Sequence, residues 1–408
     1  MKINHVLDGI SDEIARNDSF IHLTANENVI SNTARKFLAT SISDRYYFGG
    51  GDDNSVVAMG DFLGLGFKSV EELVHIATEA AKEMLSAYSV NLNVLSGVHA
   101  MMSAILSVTE PGEMVLTVPK DAGGHFATAG ILERVGRKHD YVVYDLENLK
   151  FDVEKTAELV RKLDVKAIYL DVSYYLNPHN LKELREAIGN DIIIIYDASH
   201  TMGLIMGQQF QAPLIEGANV ICANTHKTLP GPHKGMIAFR DKTLADKGND
   251  IIDGCLYSTP HLPHLISLAI TILEMKEFGQ DYAKQIINNS RSMASKFNEL
   301  GFEVRKSNNG EYSNNHQFHV FIDNMGDSVE LYTRLVKNNI SSNFDSPLGG
   351  RLFIRIGTQE LTRRGFKESD VSDLATIVDH ALKGMDVKKT VLNLNSRFDK
   401  IDFSFDTR

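Results

Sequence analysis

Cysteine is scarce: the 408 residues hold two, Cys222 and Cys255, in no paired spacing. So few thiols in so long a chain exclude a disulfide framework and predict reduced intracellular cysteines. Positive charge is in deficit as well. Lys and Arg number 42 against 53 Asp and Glu, a formal net charge of −11, which argues against nucleic acid or an anionic membrane as the main partner. No apolar run approaches the ~20 residues a membrane span needs. Residues 1–20 contain no apolar core of signal-peptide length, and no internal repeat or low-complexity tract is visible. These absences predict a cytoplasmic protein with no nucleic-acid or membrane partner and no metal site.

What is present is ordinary globular composition, 43% hydrophobic and 23% charged. A chain of this length exceeds one simple core, so two domains with arms are expected. Short Val- and Ile-rich runs at 114–118, 167–172, 191–196, 219–222 and 235–239 read as buried strands. Helical patterns at 69–86, 96–107 and 180–188 lie between them. Strand–helix alternation implies an α/β domain with a mainly parallel central sheet covered on both faces. A connecting helix at 265–278 then leads to a smaller C-terminal α+β domain, with segments at 290–300, 302–304, 318–322, 329–337, 351–356 and 371–385. The expected divisions are an N-terminal arm at 1–50, a large domain at 51–278, a small domain at 279–387 and a polar tail at 388–408.

Chemistry concentrates in two stretches. Asp197 follows directly on an apolar run, so it should stand at the carboxyl end of a buried strand, where open α/β sheets bind ligands. Lys227 comes 30 residues later, beyond the next strand, and one crossover can bring the two tips together. Each has a histidine close by, His200 and His226. An Asp beside a pyridine nitrogen keeps it protonated and makes the ring an electron sink. A partly desolvated Lys forms a Schiff base readily. Taken singly, either residue would be an ordinary surface charge. Together, each with a histidine close by, they shift the balance towards chemistry.

The segment Thr225-His226-Lys227-Thr228-Leu229-Pro230-Gly231-Pro232, followed by Gly235-Met236-Ile237, resembles the cofactor-lysine segment of serine hydroxymethyltransferases, a fold-type I pyridoxal-phosphate family. Leu23-Thr24-Ala25-Asn26-Glu27-Asn28 is similar to that family's LIASEN box. The stretch 91–100 resembles its phosphate loop, Gly123-Gly124-His125 its GGH turn, and Asp197-Ala198-Ser199-His200 its DxAH motif. Arg355-Ile356-Gly357-Thr358 with Thr362-Arg363-Arg364-Gly365-Phe366 matches RxGT…TRRGF. The blocks run in family order from about residue 21 to 385. The resemblance implies an aspartate-aminotransferase-like large domain with pyridoxal 5'-phosphate on Lys227. His125 would stack on the pyridine, Asp197 bind its nitrogen and His200 lie near its phenolic oxygen. Ser96, Gly97 and His226 would take the phosphate at a helix N-terminus, with Ser173 a further cofactor contact. Arg355 would clamp the substrate α-carboxylate with a bidentate fork, and Asn26 and Glu27 would line the substrate site. In this family active sites form across a homodimer, so Tyr46, Ser258 and Thr259 would come from the neighbouring subunit. Read without the resemblance, His125 also fits an exposed turn, Ser96 and Gly97 a helix cap, and Arg355 an ion pair with a structural carboxylate.

Departures from the family bear on the reaction. Counted from Asn28, Arg45-Tyr46 falls on the family's Lys-Tyr and Phe48 on its catalytic Glu; a rival alignment of Arg45-Tyr46-Tyr47 on RYY also loses the Glu. A phenyl ring cannot handle the protons of folate-dependent hydroxymethyl transfer. Residues 49–69 are rebuilt and Gly-rich, fitting a mobile lid or a new dimer edge. Val98 replaces a phosphate-loop Ser, 257–264 (YSTPHLPH) replaces a Gly-rich loop, and 341–351 is short where the family keeps folate contacts. The expectation is therefore an enzyme acting at Cα–Cβ of a small amino acid without folate, of threonine aldolase or transaldolase type, with an aldehyde co-substrate. Transamination, racemisation or decarboxylation on the same scaffold stay open. So do an orthodox hydroxymethyltransferase with its acid relocated to Glu27, Asp52 or Asp53, and a cofactor-binding protein without turnover.

Overall fold

The computed structural model describes residues 2–146, 148–307, 309–345 and 350–407. By the density of its internal packing the chain separates into two compact units. Among the described residues, 28–284 with 403–407 form the larger, and 2–27, 285–345 and 350–402 form the smaller. The arm at 1–27 and most of the polar tail therefore fold with the smaller unit.

The larger unit is built on a seven-stranded sheet. In chain order its strands are β1 (Ser89–Asn91), β2 (Met114–Thr117), β3 (Lys138–Tyr141), β4 (Val165–Leu170), β5 (Ile193–Asp197), β6 (Val220–Asn224) and β7 (Gly235–Phe239). Across the sheet the order is β1-β7-β6-β5-β4-β2-β3. Four neighbouring pairs, from β6 to β3, are parallel, and β7 runs antiparallel to both β6 and β1. The central strands carry Val, Ile, Ala and Leu on both faces, because helices cover both. Val115, Ala167, Ile195, Val220, Cys222 and Ile237 pack in one core with Ala100, Met101, Ala104 and Ile105 of the helix Gly97–Val108. The rebuilt segment contains an antiparallel hairpin, Val56–Met59 with Phe62–Leu65, whose Val56, Met59, Phe62, Leu63 and Leu65 are exposed. The last residues are docked within this unit: Asp406 accepts from Asn32 N and Thr33 N at 2.7 and 2.8 Å, and Phe405 N donates to Glu274.

One helix, Leu262–Glu299, carries the chain into the smaller unit, joining the stretches expected at 265–278 and 290–300. That unit has a three-stranded antiparallel sheet, β8 (Gln317–Phe321), β9 (Asn343–Asp345) and β10 (Phe353–Gly357), with β10 in the middle. Phe297, Phe318, Ile354, Ile356, Leu374 and Val378 form its core. Ile21–His22 pairs in parallel with Ile340–Ser341, which ties in the N-terminal segment. The helix Lys388–Asn395 buries Val391 and Leu394 in the same core, so this part of the tail is packed. The stretch at 302–304 makes only an isolated bridge, Val304 with Val320. Among the described residues no helix is long and apolar enough to cross a membrane.

Candidate active site

The carboxyl ends of β4, β5 and β6 open into a cavity of about 310 Å³ within the larger unit. A parallel sheet points its strand ends and the helix N-termini that follow towards one edge, so polar residues gather there. Asp197 closes β5, and Asn224, Thr225 and His226 lead from β6 to Lys227. Of the residues singled out from the sequence, Ser96, Gly97, His125, Ser173, Asp197, His200, His226 and Lys227 all line this cavity.

Lys227 Nζ lies 3.0 Å from His200 Nε2. The Asn224 amide meets its neighbours best with its oxygen 3.2 Å from Lys227 Nζ and its nitrogen towards Ser199 O. The lysine carbonyl accepts from Asn28 Nδ2, which is also held by the Tyr282 hydroxyl at 2.8 Å. Asp197 is oriented by two donors, Tyr169 Oη to Oδ2 at 2.6 Å and Ser199 N to Oδ1 at 2.8 Å. His125 stands on the Gly123-Gly124 turn. Gly123 has a φ of +92°, and a Cβ on Gly124 would meet Val118 O at 2.1 Å, so both positions need glycine. Burial holds the His125 ring below the ordinary histidine range, with Asp197 opposing and Lys227 reinforcing. The Phe126 ring lies beside it, tilted by 30° with centroids 4.6 Å apart, and is 78% exposed.

Ser96, Gly97 and His226, in the same cavity wall, make a candidate anion cradle. Ser96 caps the helix Gly97–Val108, its Oγ accepting from His99 N at 3.1 Å. Cap and anion site are compatible, because the hydroxyl keeps a proton to donate. A Cβ on Gly97 would meet Asn224 Cβ at 2.8 Å, and one on Gly235 would meet Ser96 O at 2.4 Å. His226 stacks on His233 at 3.8 Å, and burial, then His233 and Lys227, push its pKa down to about 3. A neutral His226 can donate to phosphate, and its buried Nδ1 has no hydrogen-bond partner among the described residues. Among the described residues no group of three or more His, Cys, Asp or Glu could hold a metal ion.

These features fit pyridoxal 5'-phosphate: an amine for its aldehyde, a carboxylate for its ring nitrogen, an imidazole for its face and a capped helix N-terminus for its phosphate. The cavity size is within the range of small-molecule sites, about 300–1,000 Å³.

Other predicted residues lie elsewhere. Tyr46 is 59% exposed and stacks on Phe48, which meets Phe62 edge-on at 4.9 Å. Ser258 is exposed, and Thr259 Oγ1 accepts from Tyr47 N at 3.4 Å. None of these lines the cavity. Arg355, Asn26 and Glu27 belong to the smaller unit. There Arg355 is in the middle of β10, buried, with Nε 3.3 Å from Asp345 Oδ2. Gln359 Nε2 donates to Thr24 O and Glu27 O, both at 2.7 Å, and Thr24 Oγ1 donates to the Glu27 carboxylate at 2.5 Å, which fixes the 24–27 turn. Asn26 Oδ1 is buried without a hydrogen-bond partner among the described residues. Of the short 341–351 loop, 346–349 lie outside the described residues.

Sequence reasoning missed Asp171, Ser199 and Asn224 in the cavity wall. It also missed Lys234, which is 1% exposed and donates from Nζ to Val94 O at 3.0 Å. Burial pushes the Lys234 pKa down to about 7. Asp171 carried a readable signal, since it follows an apolar run as Asp197 does.

Comparison with known proteins agrees with this geometry. Residues 2–378 match the family model described as Serine hydroxymethyltransferase. A serine hydroxymethyltransferase of Methanocella arvoryzae is 34% identical over 95% of this chain and 94% of its own length. A fluorothreonine transaldolase of Streptantibioticus cattleyicolor is also 34% identical, over 90% of this chain; the match spans only 58% of that longer protein. The crystal structure of L-threonine transaldolase from Pseudomonas fluorescens, in its internal aldimine state, superposes with a TM-score of 0.90. The identity is 27%, and 100% of this chain and 95% of that chain are covered.

Proposed function

We propose, from the premise that this chain belongs to the serine hydroxymethyltransferase family and is a pyridoxal-phosphate enzyme, that it makes and breaks the Cα–Cβ bond of a β-hydroxy amino acid without folate, as a threonine aldolase or transaldolase. The observation that carries this reading is the cluster of Tyr46, Phe48 and Phe62, aromatic where the family's proton-handling Glu is expected. The similarity to two named transaldolases, of fluorothreonine and of L-threonine, supports it.

Lys227 would hold the cofactor through Nζ, with His200 at 3.0 Å able to exchange a proton with it. Asp197, already oriented by Tyr169 and Ser199, would keep the ring nitrogen protonated. Ser96, Gly97 and neutral His226 would take the phosphate, with Ser173 beside the ring. When bound, the cofactor supplies an electron sink for the pair released at Cα. His125, which burial keeps neutral, is the group suited to take the β-hydroxyl proton as the Cα–Cβ bond opens. It would return that proton to the oxygen of an incoming aldehyde in the reverse sense. Arg355 would bind the amino-acid carboxylate in competition with Asp345. A homodimer would bring Tyr46, Ser258 and Thr259 to the partner's cavity, with the exposed 56–65 hairpin at its edge.

The test is aldehyde exchange. L-Threonine and a second, unrelated aldehyde are incubated with the loaded enzyme without folate, and products are read by mass spectrometry. A new β-hydroxy amino acid carrying the second aldehyde's carbon chain is the expected result. A keto acid or a racemised amino acid with an intact Cα–Cβ bond would replace this reading with one of altered chemistry at Cα.

A further inference from the structure

Asp171 has no part in the reading above. It comes directly after β4, is 5% exposed and lines the cavity. Its Oδ2 accepts from two donors, the Thr128 hydroxyl and the His125 backbone N–H, the latter at 3.1 Å. Its Oδ1 is buried and has no hydrogen-bond partner among the described residues. The charge acting on it is another carboxylate, Asp197, and the further titratable groups beside it are Tyr169 and Cys222, with the His125 ring carried on the turn it bonds.

A buried anion next to a second carboxylate is costly. An uncharged carboxylic acid suits the same bonds. Oδ2, as the carbonyl oxygen, would take both donors, and the proton would reside on Oδ1. Burial, with Asp197 adding, pushes the Asp171 pKa up to about 8, while the Thr128 hydroxyl and the backbone N–H groups of His125 and of Asp171 itself pull against it.

We propose that Asp171 is a positioning residue of this site: Oδ2 ties down the turn that carries His125, and Oδ1 donates a hydrogen bond to an acceptor atom of the molecule held in the cavity. The carboxyl is a wall of the cofactor site that acts as a donor. The second half rests on the cavity holding pyridoxal phosphate; the first half does not.

The experiment compares wild type with Asp171→Asn and Asp171→Ala in two arms. Asn keeps the accepting oxygen and offers an N–H where the O–H was, so it is the conservative rescue. In the cofactor-free arm, melting temperatures are measured from pH 4 to 9. A folded pKa near 8 against about 4 unfolded means that stability from this group is full below pH 4 and is lost as pH rises through 8. Asp171→Asn should therefore gain on wild type by a few °C between pH 5 and 8, with the difference level above that. Asp171→Ala should melt below Asp171→Asn throughout. A wild-type-to-Asn difference that does not change with pH overturns the uncharged acid.

In the loaded arm, pyridoxal phosphate is titrated and its absorbance gives Kd. Asp171→Asn should stay within about threefold of wild type, and Asp171→Ala should weaken binding by about tenfold or more. Equal weakening in both variants, or none in Ala, overturns the donor role. A wild type that binds no pyridoxal phosphate overturns the cofactor reading and the donor role with it, while the melting arm still decides the His125 anchor.

Discussion

Asp197 and Arg355 are both charged residues on strands, and the two units treat them differently. Asp197 ends a parallel strand, and its carboxylate is held by a tyrosine hydroxyl and a backbone N–H at the wall of a cavity. Arg355 sits at the centre of an antiparallel strand, opposite His319 and Asn343, and is held by Asp345. Burial, then Arg305 and Arg355, keep His319 far below the ordinary histidine range, so it adds no charge there. A strand tip can present a charge that hydrogen bonds alone hold in place. A charge inside a sheet needs its own counter-ion, so on the proposed reading a substrate carboxylate at Arg355 would have to compete with Asp345. Lys234 makes the contrast within the larger unit. It is a buried cation bonded to a carbonyl, Val94 O, and its pKa falls where Arg355 has an acid beside it.

Removing the lysine that follows the tip of β6 should have the largest effect. Lys227→Ala should lower turnover by at least about 10³-fold and abolish the yellow absorbance of the loaded protein. Retained absorbance with added cofactor would transfer the cofactor attachment to another amine. Changing the mid-sheet charge should matter less and differently. Arg355→Lys should lower kcat/KM by roughly 30- to 300-fold, about 2–3 kcal/mol, because Lys cannot form the planar fork. The loss should fall mainly on KM for the amino acid, with cofactor absorbance unchanged; an unaltered KM would leave Arg355 as a purely structural partner of Asp345. The smallest effect concerns Lys234. Its folded pKa near 7 against about 10.4 unfolded means that its cost is full below pH 7 and fades as pH rises towards 10. Lys234→Met should therefore stabilise the protein by about 2 kcal/mol at pH 6, the gain in desolvation offset in part by the lost bond to Val94 O. Denaturant melts at pH 6 and pH 10 check this, and a gain that persists at pH 10 would assign the effect to packing.

Much of the larger sheet was legible because its central strands are continuous apolar runs bounded by turns. Its edges were not. β3 is Lys-His-Asp-Tyr, with an exposed polar surface, and β1 has three residues, too few for a pattern. The break expected after residue 278 failed for a local reason. Gly279 is a weak helix breaker, and its missing side chain leaves room for the Met275 side chain of the same helix and for the approach of Gly207, so packing overrides propensity. At the site, Asp197, Lys227 and their histidines stood out because strand ends and spacing mark them. Asp171 has the same mark but no motif around it. Lys234 has none, because a lysine beside two glycine-rich turns reads as surface until burial is seen. Tyr46, Ser258 and Thr259 would act only in a neighbouring copy, which no single chain displays.

The central claim is chemistry at Cα–Cβ without folate, and substrate turnover with and without tetrahydrofolate tests it most directly. Loaded enzyme is given L-threonine or L-serine, and glycine and aldehyde are measured. Glycine and acetaldehyde from threonine at a rate indifferent to tetrahydrofolate are the predicted result. Glycine from serine that appears only with tetrahydrofolate would contradict the account and make the enzyme an orthodox hydroxymethyltransferase despite Phe48.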